Sequence, residues 1–117
     1  MFDFHKNGSE QVFHTFVLGL VNGLRERYVI QSNRESGLGR FDVILIPTDL
    51  DMLGHVIEFK VSKSEVDMTA KAIEGLEQIK DKGYITSLKQ HGVKNIQLLG
   101  IAFYRKGALV LSELIDQ

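Results

Sequence analysis

The sequence predicts an α/β fold, a mixed sheet with helices packed against it. Three observations lead there. The segment from Ser9 to Arg27 carries apolar residues at helical spacing. Short apolar runs bounded by glycine, proline or polar turns read as strands. A second helical segment, Ser64 to Lys82, falls between the third and fourth of these runs. The only proline is Pro47, and no Pro/Ser-rich linker, repeat or low-complexity tract divides the chain. Its 117 residues therefore read as one domain, 1–117.

In the first segment, Val12, Phe13, Phe16, Val17, Leu20, Val21 and Leu24 make one wide apolar stripe. Ser9 is placed as an N-cap, with Glu10 in the first turn, where a carboxylate suits the helix dipole. Tyr28 to Asn33 is a short strand, broken by the glycines of Glu35 to Arg40. Phe41 to Ile46 is an apolar strand closed by Pro47, and His55 to Val61 is the next. These two read as an antiparallel hairpin with a seven-residue loop, Thr48 to Gly54. Ser64 with Asp67 resembles a capping box ahead of a helix whose stripe is Ala72, Ile73, Leu76 and Ile79. Gly83 stands at a C-cap position. Tyr84 to His91 is a further short helix closed by Gly92, and Asn95 to Tyr104 and Ala108 to Leu114 are the last strands.

Composition narrows the function classes. Apolar residues are 44 % and charged residues 25 %, ordinary globular values that exclude wholesale disorder. Basic and acidic residues number 14 and 15, a net charge of −1, which excludes a polybasic binder but not a local basic groove. No apolar run approaches the roughly 20 residues of a membrane span. The start, MFDFHKNGSE, lacks the pattern of a signal peptide, so a soluble, cytoplasmic protein is expected. Without cysteine there is no disulfide framework, thiolate metal site or thiol nucleophile.

The hairpin carries the chemistry. With its loop centred near Asp51, Asp42 lies opposite Lys60, and Glu58 is the diagonal neighbour. Alternation puts Glu58 and Lys60 on one face, and this register puts Asp42 there too. Two carboxylates and an ammonium then converge among apolar residues, where charges are costly unless paired or bound to an ion. Two carboxylates suit a hard divalent cation such as Mg²⁺. Such a cation activates water and offsets charge on a phosphodiester, while the lysine orients the water or steadies the developing charge. A one-residue slip sends Asp42 to the other face. The ordinary alternative is a solvated cross-strand charge ladder.

Phe41-Asp42, then Ile57-Glu58-Phe59-Lys60, resembles the PD-(D/E)xK nuclease superfamily. The wider string, SNRESGLGRFDVILIP, IEFK, the following helix and LLGIAF, is similar to the branch found as the C-terminal nuclease-like domain of AAA-ATPase-like proteins. The resemblance runs from about Glu10 to Phe103. It implies a restriction-endonuclease-like αβββαβ core. It also implies an Mg²⁺-dependent nuclease (Mn²⁺ as substitute) that cleaves nucleic acid, DNA ahead of RNA, at ends or internally. Asp42 and Glu58 would be metal ligands, the backbone carbonyl of Phe59 would complete the shell, and Lys60 would be the catalytic lysine. Glu10 matches the acidic residue of the first helix that holds a second metal or its water. Gln78 is similar to a glutamine that exonuclease-type members place near the active site, with Tyr84 accompanying it. Phe41 replaces the proline of the motif's name.

Other polar residues carry weaker expectations. Arg34 and Arg40 flank a turn whose Gly37 and Gly39 admit a phosphate closely, so with Tyr84 they are the candidate nucleic-acid contacts. Surface arginines on a turn are the plain alternative. His5, His14, His55 and His91 lack metal-ligand spacing; His14 is placed near the core. Asp49 and Asp51 suit turn chemistry. Lys63, Lys71, Lys80 and Lys82, interleaved with acids, read first as a solvated helix face. A catalytically silent nuclease-fold module that binds nucleic acid or a protein is the competing function. A homo-oligomer or an ATPase partner would supply elements that so short a chain lacks.

Overall fold

The computed structural model describes residues 6–35, 40–105 and 107–116; the side chains of 6–10, 12, 13, 34, 35 and 40 lie outside that description. The elements run α1 (Lys6–Leu24), β1 (Tyr28–Glu35), β2 (Arg40–Pro47), β3 (Gly54–Val61), α2 (Met68–Asp81), α3 (Tyr84–Gln90), β4 (Ile96–Tyr104) and β5 (Gly107–Ile115). The five strands form one sheet in the order β1-β2-β3-β4-β5. All neighbours are antiparallel except β3 and β4, which are parallel because α2 and α3 make the crossover between them. The predicted mixed sheet with flanking helices is the observed fold.

Period-2 alternation divides the core between the two faces of the sheet. On one face Phe41, Val43, Leu45, Ile57 and Phe59 meet Phe16, Val17, Leu20 and Leu24 of α1. The Phe59 ring takes Phe16 edge-on at 4.9 Å and stacks with Phe103 at 5.7 Å. On the other face Ile44, Val56, Ile96 and Leu98 meet Ile79 of α2 and Leu88 of α3. Burying each such side chain contributes about 1.5–3 kcal/mol.

Several boundaries differ from expectation. α1 begins at Lys6, so Ser9 is inside the helix rather than its N-cap, and the first turn holds no acid. Gly8 there costs only about 1 kcal/mol, too little to stop the helix. The helix ends at Leu24 in a tightened turn, the Arg27 N–H donating to the Leu24 carbonyl at 2.9 Å, and the Arg27 carbonyl then accepts from the Thr48 backbone N–H and Oγ1 at 2.8 and 3.0 Å. His14 is exposed, off the apolar stripe. α2 starts at Met68; Ser64 accepts the Asp67 N–H on its Oγ at 3.2 Å, but within a turn leading into the helix. Ile73 is 45 % exposed, and Met68, Ala72, Gly75 and Ile79 are the buried stripe. Gly83, at φ +75°, supplies the left-handed residue that ends α2 and starts α3. The β2–β3 loop is 48–53, since Gly54 already pairs with Ile96. Within that loop the Asp51 N–H donates to Asp49 Oδ1 at 3.0 Å, the turn chemistry expected of the pair.

One glycine fixes how closely α2 lies on the sheet. A Cβ on Gly100 would run into the backbone carbonyl of Ala72 and press on Leu76. Gly100 is also the β4 neighbour of Glu58. The helix is thereby held over that residue.

Candidate active site

The β2–β3 register pairs Asp42 with Glu58, not with Lys60. The shift is of two residues, because the shorter loop is centred one position earlier. A shift of two preserves the face, so Asp42, Glu58 and Lys60 still share the side covered by α2 and α3. Asn33, Asp42, Glu58 and Gly100 form one cross-strand row.

Lys82, at the C-cap of α2, reaches down onto this row. Its Nζ lies 3.0 Å from Asp42 Oδ2 and 3.1 Å from Glu58 Oε1. The Tyr84 hydroxyl donates to the same Asp42 Oδ2 at 3.1 Å. Asn33 Nδ2 approaches the Tyr84 oxygen at 3.5 Å. Lys60 points toward α2, its Nζ 3.4 Å from Glu74 Oε1. Lys71 Nζ and Gln78 Nε2 also lie 3.4 Å from Glu74 carboxylate oxygens. A carboxylate pair with Lys82 and Tyr84 thus stands beside a second cluster of Lys60, Lys71, Glu74 and Gln78.

The electrostatics follow from burial. Asp42 and Glu58 side chains are 3 % and 0 % exposed, and Lys82 is 21 % exposed. Burial pushes the Glu58 carboxyl above its ordinary range; Lys82 opposes this, and the Asp42 charge adds to it. For Lys82, burial alone would lower the pKa, but its hydrogen bonds to both carboxylates outweigh this and hold it well above the lysine range. Tyr84 is raised by burial and by the Asp42 charge. Burial alone would raise Glu74, yet Lys60 and Lys71 bring it below the usual value.

Two buried acids facing one ammonium leave a deficit. Asp42 Oδ1 and Glu58 Oε2 are buried without a hydrogen-bond partner, as is Gln78 Oε1. Orphaned buried acceptors of this kind are costly, and buried titratable groups with perturbed pKa values cluster at functional sites. Two hard carboxylate oxygens with no partner suit a divalent cation of the Mg²⁺ type, which takes one or two carboxylates and fills its shell with water and phosphate. The residues present fit that group. Among the described residues no cluster of three or more His, Cys, Asp or Glu gathers, so the protein's own described side-chain contribution is this pair.

Of the residues singled out from sequence, the structure brings together Asp42, Glu58, Lys60, Gln78 and Tyr84. The Phe59 ring points to the α1 face, while its backbone lies between Glu58 and Lys60 in β3. Glu10 is in α1, the helix on the opposite face, and its side chain lies outside the described residues, as do those of Arg34 and Arg40. Gly37 and Gly39 also lie outside. Lys82, Glu74, Lys71 and Asn33 are site residues the sequence reading did not pick out. Lys71, Glu74, Gln78 and Lys82 stand three or four apart, a polar stripe along one side of α2. That spacing was the available signal.

A family model described as the PD-(D/E)XK nuclease superfamily matches residues 8–113. No curated protein and no solved structure matches the chain.

Proposed function

Because the chain belongs to the PD-(D/E)XK nuclease superfamily, we propose that it is a metal-dependent nuclease hydrolysing phosphodiester bonds of nucleic acid, DNA ahead of RNA. The observation that carries this reading is the buried Asp42–Glu58 pair, each with an unpartnered oxygen, beside a buried lysine on the same face. Asp42 and Glu58 would hold Mg²⁺ or Mn²⁺, with the Phe59 carbonyl completing the shell and Glu10 holding a second ion or its water, both carried over from the family pattern. When bound, the ion supplies Lewis acidity and charge neutralisation at a phosphodiester. Lys60 places a positive charge beside the carboxylates, where it steadies negative charge developing on phosphate. Glu74 and Gln78 orient Lys60, and Tyr84 fixes the Asp42 carboxylate. Arg34, Arg40 and Tyr84 are the proposed nucleic-acid contacts.

The same reading places the chain in the branch attached to AAA-ATPase-like proteins. It also includes a cytoplasmic location and assembly with a second copy or an ATPase-like partner. One observation favours a second reading, a nuclease-fold module that binds without cleaving: Lys82 already engages both carboxylates.

Cleavage of labelled single- and double-stranded DNA and RNA with Mg²⁺ or Mn²⁺ tests the proposal. The wild-type chain should cut. Asp42→Asn and Glu58→Gln should abolish cutting, and Lys60→Ala should slow it about 10²- to 10³-fold with metal binding retained. A wild-type chain that cuts none of these substrates with either ion contradicts it, and full nucleic-acid binding by that inactive chain would establish the second reading.

A further inference from the structure

We infer that Lys82 is a built-in counter-cation of the Asp42–Glu58 pair, so that a divalent cation enters this site only by exchange with the Lys82 ammonium. The inference rests on the metal-site reading above and adds a regulatory element to it. Lys82 Nζ is within hydrogen-bond distance of one oxygen of each carboxylate, 3.0 Å from Asp42 Oδ2 and 3.1 Å from Glu58 Oε1. A divalent cation held by both carboxylates would stand close beside this ammonium, where the two positive charges repel, so ion and ammonium compete for the pair. The pair itself is sealed: both acids are almost fully buried, and the partly exposed Lys82 side chain lies against them. Charge also favours exchange over addition. With Lys60 turned to Glu74, the two carboxylates and Lys82 sum to −1, and a divalent ion added beside the ammonium would leave an excess positive charge. A divalent ion neutralises the pair in full.

The position of Lys82 makes the exchange mechanically simple. It is the C-cap residue of α2 and is followed by the left-handed Gly83. Its charge sits on a flexible four-carbon stem, which swings without moving the helix. The Tyr84 hydroxyl, on the same Asp42 oxygen, stays on α3 and keeps that carboxylate oriented while the ammonium leaves. Resting occupancy by Lys82 makes the site selective for ions that bind two carboxylates strongly enough to displace it. It also keeps the buried acids compensated at low metal concentration.

Calorimetric titration with Mn²⁺ of the wild-type chain, Lys82→Met and Glu58→Gln tests this. Lys82→Met should bind Mn²⁺ tighter than wild type by about tenfold or more, and Glu58→Gln should not bind. Equal or weaker binding by Lys82→Met overturns the exchange and leaves the metal site standing. Absence of binding in wild type and Lys82→Met alike overturns the metal-site reading itself. A second measurement uses the unaltered chain. Reductive methylation of Lys82, followed by mass spectrometry, should accelerate when Mg²⁺ is added. Lys80 and Lys94, whose partners are the surface acids Glu113 and Asp51, should not change. An unchanged Lys82 rate at metal saturation overturns the proposal even if Lys82→Met does not fold.

Discussion

Glu58 is the residue where stability and chemistry pull apart. It is fully buried, faces Asp42 across the β2–β3 ladder, and has one oxygen without a partner. Its pKa is raised by burial despite the help of Lys82. In linkage terms, the stability associated with Glu58 is complete below the ordinary value of 4.5 and is lost as pH rises through the elevated folded value. Above that ordinary value, burying Glu58 is therefore a cost that the fold carries. Glu58→Gln, a neutral replacement of the same shape, should raise the thermal midpoint of the metal-free protein at pH 7, and that gain should vanish near pH 4. Stabilisation by added Mn²⁺ should be lost in the same variant. A lower midpoint at pH 7 would mean that the ion pair with Lys82 outweighs the burial.

At the scale of elements, the site depends on how α2 lies across β3 and β4. Gly100 and Gly75 both face this junction, but they differ in what a side chain would meet. A Cβ at Gly100 collides with helix backbone, whereas one at Gly75 finds Glu58 Cγ at 3.5 Å, an ordinary contact. Gly100→Ala should therefore cost about 1–3 kcal/mol in chemical denaturation and weaken Mn²⁺ binding by lifting α2. Gly75→Ala should be neutral or stabilising by up to about 1 kcal/mol, since alanine is the better helix residue. Both effects are read in one set of denaturation curves. The same junction explains what sequence reveals. Asp42, Glu58 and Lys60 are legible because strand parity survives a register error of two, even though the loop centre was misplaced. Lys82 is not legible as a site residue. In a helix of alternating charges it looks like any solvated lysine, and only the packing of α2 on Gly100 turns it toward the carboxylates. The start of α1 is illegible for a similar reason: intrinsic preferences near Gly8 and Ser9 are too small to set it.

For the whole molecule, the protonation of His55 couples stability to acid. Its Nδ1 lies 3.0 Å from Gln97 Oε1, joining β3 to β4, and its ring is 5.7 Å from that of Tyr28. Burial lowers its pKa, opposed by the Gln97 hydrogen bond. This contribution to stability is present above the ordinary value of 6.5 and is lost as pH falls through the lower folded value. Denaturation midpoints should decline on acidification below 6.5, and His55→Gln should flatten that decline.

The formal net charge of −1 gives the chain no general pull on nucleic acid. Recognition must then be local, near the carboxylate pair, and binding of that pair to a divalent cation is the claim on which the functional account turns. Thermal unfolding of the wild-type chain across a Mn²⁺ series, with Asp42→Asn and Glu58→Gln as controls, measures it directly. A single specific site should stabilise wild type by about 2.7 kcal/mol at a hundred times its Kd and should leave both variants unmoved. The same stabilisation in both variants would place the cation elsewhere and contradict the account.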